Sequence, residues 1–121
     1  MKIEANQLTA ALLREECGHG AYERGRDYFN QGRATLVEAV ADDDKSLTLL
    51  TTNRGSGRRL YDQEIHLHLG RYGLEVDGSC DCPMSFNCKH VVAGALVWKA
   101  QATAPSNAGD DFEQWLARLD D

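Results

Sequence analysis

The sequence lacks any apolar stretch long enough to cross a membrane, and its first seven residues contain no apolar signal region. It also lacks the Gly-x-x-x-x-Gly-Lys loop that holds nucleotide phosphates, because the glycine-rich run at residues 55–59 has neither the lysine nor the spacing. Internal repeats and low-complexity segments are absent as well. These absences predict a cytoplasmic protein without a membrane partner, and they exclude a phosphate-loop motor within the 121 residues.

Positive charge is in the minority, with 13 lysines and arginines against 19 carboxylates and a formal net charge of -6. This balance argues against indiscriminate attraction to a nucleic-acid backbone. The charge is uneven, because residues 104–121 carry five carboxylates and one arginine, whereas residues 1–103 sum to only -2. Seven arginines are therefore either an ordinary solvated surface or a candidate nucleic-acid-binding patch: Arg24, Arg26, Arg33, Arg54, Arg58, Arg59 and Arg71.

Three of the four cysteines and one histidine fall within residues 80–90, in the order Cys-x-Cys, five residues, Cys-x-His. In a reducing setting, clustered cysteines indicate metal ligands before disulfides. Zn²⁺ favours four soft or borderline ligands in a tetrahedron, and three thiolates with one imidazole are a common structural set. The predicted zinc ligands are Cys80, Cys82, Cys88 and His90. Because the protein fills all four positions, the predicted zinc is structural and has no vertex for water.

The spacing of the last two ligands constrains the local structure. Residues i and i+2 of a helix face nearly opposite directions, so Cys88 and His90 cannot both bind one ion from within a helix. The workable arrangement places Cys88 just before a helix and His90 in its first turn. On the other side, the strand that leads to Cys80 has to break at Asp81, so that Cys80 and Cys82 turn toward the same ion.

Two alternatives to this ligand set stay open at the sequence level. In the first, two of the cysteines form a disulfide in an otherwise ordinary domain. In the second, Cys17 or His19 replaces one of the ligands, which requires a long loop to close. Cys17 is expected instead to be a small, partly buried apolar residue. His66 and His68 share one face of a strand, where they are either exposed polar side chains or a pair of ligands.

The periodicity of the chain predicts an α+β fold: N-terminal helices, a small antiparallel β-meander and a zinc-pinned hairpin followed by a helix. Asn6 is expected to cap a first helix from Gln7, which Gly18 and Gly20 end, and a second helix covers residues 21–31. Gly25 in that helix allows another element to approach closely. Four strands with tight turns and a further helix follow, at residues 36–40, 47–52, 61–69, 74–77 and 91–101.

The cysteine and histidine pattern resembles the SWIM zinc finger, which has Cys-x-Cys, a variable gap and Cys-x-His. The stretch from Tyr22 to Arg33 resembles the segment that precedes SWIM fingers in bacterial Swi/Snf-type helicase-like ATPases, many of which carry this module at their N-terminus. The similarity spans roughly residues 20 to 100. It implies a zinc-stabilised hairpin and helix with DNA-binding or protein-binding roles, and the same four ligands.

These observations predict one SWIM-type zinc-binding domain at residues 1–103, a linker at 104–109 and a short C-terminal helix at 110–121. The expected function is a non-enzymatic interaction module that binds DNA or a DNA-acting protein, with a Swi/Snf-type ATPase domain in cis or in trans as a further partner. No small-molecule substrate is expected. The alternative is a protein–protein or regulatory module without DNA contact. A third hypothesis, a zinc-dependent hydrolase or redox sensor, requires an open coordination site or a labile thiolate.

Overall fold

The computed structural model describes residues 3–55, 59–84 and 86–103, and within them it confirms the predicted α+β fold. The predicted linker at 104–109 and helix at 110–121 lie outside the described residues. A short 3₁₀ turn comes first, then two helices, four strands and a last helix: Ala5–Gln7, α1 (Ala10–Cys17), α2 (His19–Asn30), β1 (Ala34–Asp43), β2 (Ser46–Arg54), β3 (Leu60–Gly70), β4 (Gly73–Cys80) and α3 (Lys89–Ala102).

The predicted start of the first helix is wrong by three residues. Thr9, and not Asn6, is the N-cap, because its Oγ1 accepts a hydrogen bond from the backbone N–H of Leu12 at 3.1 Å. The break between the first two helices is also shorter than predicted. Gly18 alone, with φ of 97°, separates them, and Gly20 lies inside α2.

The four strands form one antiparallel sheet in the order β1-β2-β3-β4. Strands β2 and β3 alternate between the two faces as their sequences predict. Leu47, Leu49, Ile65 and Leu67 are buried on the inner face. His66 and the other even-numbered residues of β3 from 60 to 68 are exposed on the outer face. The meander therefore has one face for the core and one for solvent.

Helix α3 lies between the inner face of the sheet and α2, and it is buried on nearly all sides from His90 to Ala95. Two glycines allow this close packing. A Cβ on Gly25 of α2 would lie 2.5 Å from the Cβ of Val92, and one on Gly94 of α3 would lie 2.5 Å from Oγ1 of Thr51. The expectation that Gly25 permits a close approach is confirmed.

The topology gathers several chain segments at one end of the sheet. Strand β2 ends there, β3 begins there, and β4 ends there at Cys80, so the metal-binding segment follows directly. The turn between β3 and β4 lies at the opposite end, about 34 Å away along β3 at 3.4 Å per residue. None of the helices in the described ranges is both long and apolar enough to cross a membrane.

We expect Gly25→Ala to lower the free energy of unfolding by about 1–3 kcal/mol, because the added methyl group overpacks the contact between α2 and α3. Gly20→Ala in the same helix is the matched control, since its nearest neighbour is the flexible guanidinium of Arg24 at 3.5 Å. Its stability should stay the same or rise slightly. Urea denaturation measures both values, and equal midpoints for the two variants would contradict the packing described.

Candidate metal centre

Each of the four predicted ligands lies where a different local feature holds it. Cys80 is the last residue of β4, Cys82 lies in the loop of residues 81–87, Cys88 is the N-cap of α3, and His90 is in the first turn of that helix. All four are buried, and their ligand atoms lie within 4.8 Å of one another. The structure thus brings together the set that the sequence predicts.

The distances among these atoms match a tetrahedral zinc site. Zn–S bonds of about 2.3 Å and Zn–N bonds of about 2.05 Å place tetrahedral neighbours roughly 3.5–3.8 Å apart. The Sγ atoms of Cys82 and Cys88 are 3.6 Å apart, and Nδ1 of His90 lies 3.6 Å from Sγ of both Cys80 and Cys88. A disulfide would need about 2.05 Å, and all four cysteines are unbridged. The residues therefore fit structural zinc, with Nδ1 as the imidazole ligand.

Asn87 shapes the loop that precedes α3. Its φ of 40° is a left-handed conformation that asparagine tolerates better than most residues. Its side-chain Oδ1 accepts from the backbone N–H of Gly78 at 2.7 Å, and its Nδ2 donates to the carbonyl of Glu16 at 3.1 Å. Asn87 thus fastens the loop to β4 and to α1, and it points Cys88 toward the other ligands.

Hydrogen bonds shift the pKa values of two of the thiols in opposite directions. A hydrogen bond with Cys88, and then burial, raise the pKa of Cys80 to about 11. The hydrogen bond with Cys80 lowers the pKa of Cys88, and backbone N–H groups at the start of α3 assist because they donate to its sulfur. The lowered pKa favours the thiolate form of Cys88, which is the form that binds a metal ion.

A buried polar chain supports the ligands from the sheet. Gln63 lies opposite Cys80 in the β3–β4 register, and its Nε2 donates to Sγ of Cys80 at 3.2 Å. Its Oε1 accepts from Asn53 at 2.7 Å, and Asn53 also donates to the carbonyl of His90 at 3.0 Å. Neither Gln63 nor Asn53 was predicted as part of the site. The sequence does carry a signal for them, because both are polar residues at inward strand positions, in phase with Ile65 and Leu49.

The remaining cysteine and histidines stay apart from the centre. Burial raises the pKa of Cys17 to about 12, so it is a neutral thiol that packs beside the core. His19 is 75% exposed and lies 3.9 Å from a carboxylate oxygen of Glu23. His66 and His68 lie on the outer face, where their Nδ1 atoms contact Thr48 and Ser46. The expectation for Cys17 is confirmed, and neither outer-face histidine joins the metal cluster.

The family model of the SWIM zinc finger matches residues 64–97. This SWIM segment runs from the middle of β3 into α3 and contains all four ligands. Neither a curated protein nor a solved structure matches the chain. The family match and the geometry of the cluster agree on a zinc-binding module.

A cleft of about 710 Å³ opens beside the ligands of the SWIM segment. Helix α2 and the loop of residues 81–87 line its sides, and Tyr28, Tyr61 and His90 meet within it. The ring of Tyr61 stacks on the imidazole of His90 at 4.9 Å, and the ring of Tyr28 meets it edge-on at 5.5 Å. The zinc ligand is thus covered by two aromatic rings that the sequence analysis did not assign to the site.

Four cations lie around these rings and the cleft. Arg33 lies 4.7 Å and Lys89 5.0 Å from the centre of the Tyr28 ring, and Arg59 lies 5.3 Å from that of Tyr61. Arg24 lines the cleft itself. Across the described residues no carboxylate pairs with any of them. We call this set the basic rim: Arg24, Arg33, Arg59 and Lys89.

The structure divides the seven candidate arginines of the sequence. Three belong to the basic rim, and Arg58 lies outside the described residues. The exposed Arg54 ends β2 at an outer-face position, and its backbone carbonyl, not its side chain, accepts from Arg33 at 3.4 Å. Arg26 pairs with Glu23 at 3.3 Å on the side of α2 away from Arg24. Arg71 lies in the turn between β3 and β4, at the opposite end of the sheet. Strand register and helix phase decide this division, and the order of residues along the chain does not show it.

We expect Cys88→Ser, or chelation of the wild type, to unfold at least residues 78–100. Structural zinc contributes about 10–16 kcal/mol to small zinc-finger peptides, which is as much as the whole stability of a typical domain. Circular dichroism during a thermal melt, with zinc content by mass spectrometry, measures the effect. Cys17→Ser is the matched control and should keep one zinc per chain. Unchanged melting after chelation would show that the metal is not structural.

We expect Gln63→Ala to weaken zinc binding by about 10- to 100-fold, because it removes the hydrogen bond that orients the Cys80 sulfur. Competition with a chromophoric chelator measures the affinity. Glu64→Ala, at the adjacent exposed position of β3, is the control and should bind zinc like the wild type. Equal affinities for the two variants would mean that the buried polar chain does not tune the site.

Proposed function

We propose that the protein is a non-enzymatic, zinc-stabilised interaction module that binds nucleic acid through the basic rim. The observation that carries this proposal is the grouping of four cations at and beside one cleft in a chain of net charge -6. Without a carboxylate partner among the described residues, these cations keep their charge available for phosphate groups.

The opposite face of the sheet supports this assignment. Its exposed positions on β3 and β4 include no lysine or arginine and four carboxylates: Asp62, Glu64, Glu75 and Asp77. A polyanion is attracted to the basic rim and repelled by this acidic face, so it has one orientation for binding. The positive charge of the basic rim is therefore enough to bind a polyanion, even though the whole chain is acidic.

The zinc centre contributes shape to this function and no chemistry. Four protein ligands fill the tetrahedron, so the ion holds the loop of residues 81–87 against α3. The ion thereby fixes the wall of the cleft that faces α2. The proposal includes a cytoplasmic setting, where thiolates stay reduced, and a Swi/Snf-type ATPase in cis or in trans as the machine that the module assists.

A protein–protein module without nucleic-acid contact is the second candidate. The exposed edge of the sheet favours it, because Val37 and Val40 of the edge strand β1 are 63% and 40% exposed. A partner strand adds readily to such an edge. Under this candidate, changes in the basic rim leave partner binding intact, whereas Val37→Lys weakens it.

The test compares two double variants that remove equal charge. We expect Arg24→Ala with Arg59→Ala to weaken binding to nucleic acid and to make the slope of log K against log salt less negative by about 1.4 for single strands, since each lost phosphate contact changes it by about 0.7. Arg26→Ala with Arg71→Ala, outside the basic rim, should leave affinity and slope near wild type. Fluorescence anisotropy over a range of salt concentrations measures both quantities.

Two outcomes of this experiment contradict the proposal. One is that the wild type shows no detectable binding to single- or double-stranded DNA at low salt. The other is that both double variants lose the same affinity, which would assign the effect to net charge and not to the basic rim. Zinc content and melting temperature, measured on every variant, separate a loss of contacts from a loss of fold.

A further inference from the structure

We infer that the cleft beside the zinc centre accepts a segment of single-stranded nucleic acid, with one base lying on Phe86 and the phosphates on the basic rim. This inference rests on the proposed function, because it names the class of nucleic acid that the same surface takes. It adds a stacking contact between a base and Phe86. This contact carries no charge, so an experiment can separate its effect from that of the phosphate contacts.

The size and the lining of the cleft match one or two nucleotides. Pockets of about 300–1,000 Å³ enclose ligands the size of a single nucleotide, and this cleft has about 710 Å³. No carboxylate occurs among the described residues that line it, whereas Arg24 and Lys89 do. The four cations of the basic rim also outweigh the single negative charge that three thiolates and one imidazole leave on Zn²⁺.

The loop of residues 81–87 supplies the apolar surface. Met84 is 72% exposed and Phe86 is 58% exposed, although both line the cleft. The rings of Tyr28 and Tyr61 are already engaged with His90, so they are less available for another partner. Phe86 is thus the aromatic ring in the cleft that is largely open to solvent. A solvent-exposed aromatic ring beside cations is the arrangement on which bases of single strands stack.

A duplex fits this surface poorly. Readout of B-form DNA requires an element that projects into a major groove about 12 Å wide, usually a helix. Here α3 is buried between the sheet and α2, and the part of α2 beside the site forms a wall of the concave cleft. Unpaired bases can enter such a cleft, whereas paired bases stay inside the duplex.

The test uses three fluorescein-labelled probes at low salt: a dT12 strand, an rU12 strand and a 12-base-pair DNA duplex. We expect a single strand to bind at least tenfold tighter than the duplex. Phe86→Ala should weaken single-strand binding by about tenfold and leave the salt slope unchanged, because stacking releases no counterions. The dT12 and rU12 arms show whether DNA or RNA is preferred.

Tyr72→Ala is the matched control, since Tyr72 is 96% exposed in the turn at the far end of the sheet. It should bind all three probes like the wild type. A strand with 2-aminopurine gives an independent readout, because stacking on Phe86 quenches its fluorescence and Phe86→Ala restores it. Zinc content confirms that each variant is folded.

The outcomes distinguish this inference from the proposed function. Duplex binding as tight as single-strand binding, or a Phe86→Ala variant equal to Tyr72→Ala, overturns the inference even where the basic-rim variants lose affinity. If the basic-rim variants lose affinity and the duplex binds as tightly as the single strands, the proposed function stands with a double-stranded ligand. Absence of binding to all three probes overturns both and favours a protein partner.

Discussion

One tetrahedral site joins the end of β4 to the start of α3, and the rest of the structure depends on this junction. Without it, the loop of residues 81–87 has few apolar contacts to hold it, because Met84 and Phe86 face solvent. With it, α3 begins at a fixed point and direction and can lie buried between the sheet and α2. A small chain thereby gains an ordered core beside the cleft that the loop and α2 form.

The sheet supports the site through buried polar groups. Gln63 reaches the Cys80 sulfur, and Asn53 connects Gln63 to the carbonyl of His90, so that one hydrogen-bonded chain links two strands, a ligand and a helix. Such groups are costly to bury unless they are paired. Their presence at inward strand positions shows that the orientation of the ligands, and not only their number, is built into the fold.

The fold also separates the basic side chains from the acidic ones. The basic rim gathers on one side of the zinc centre, and carboxylates occupy the outer face of β3 and β4. An acidic protein therefore presents a local basic surface, which the net charge of -6 conceals. The cleft places apolar and cationic groups side by side, and our proposal of single-stranded nucleic acid as its partner rests on this combination.

The sequence by itself determined the ligands, the strand alternation and the α+β fold, because each of these depends on residues close together in the chain. Cys80, Cys82, Cys88 and His90 share one short segment, and period-two hydrophobicity is a local property. Only the tertiary structure decided that Gln63 lies opposite Cys80, that three distant arginines join Lys89 beside the cleft and its two tyrosines, and that Arg71 lies far from them. These relations depend on strand register and on how α2 packs against α3, which are set by the whole core and not by any one segment.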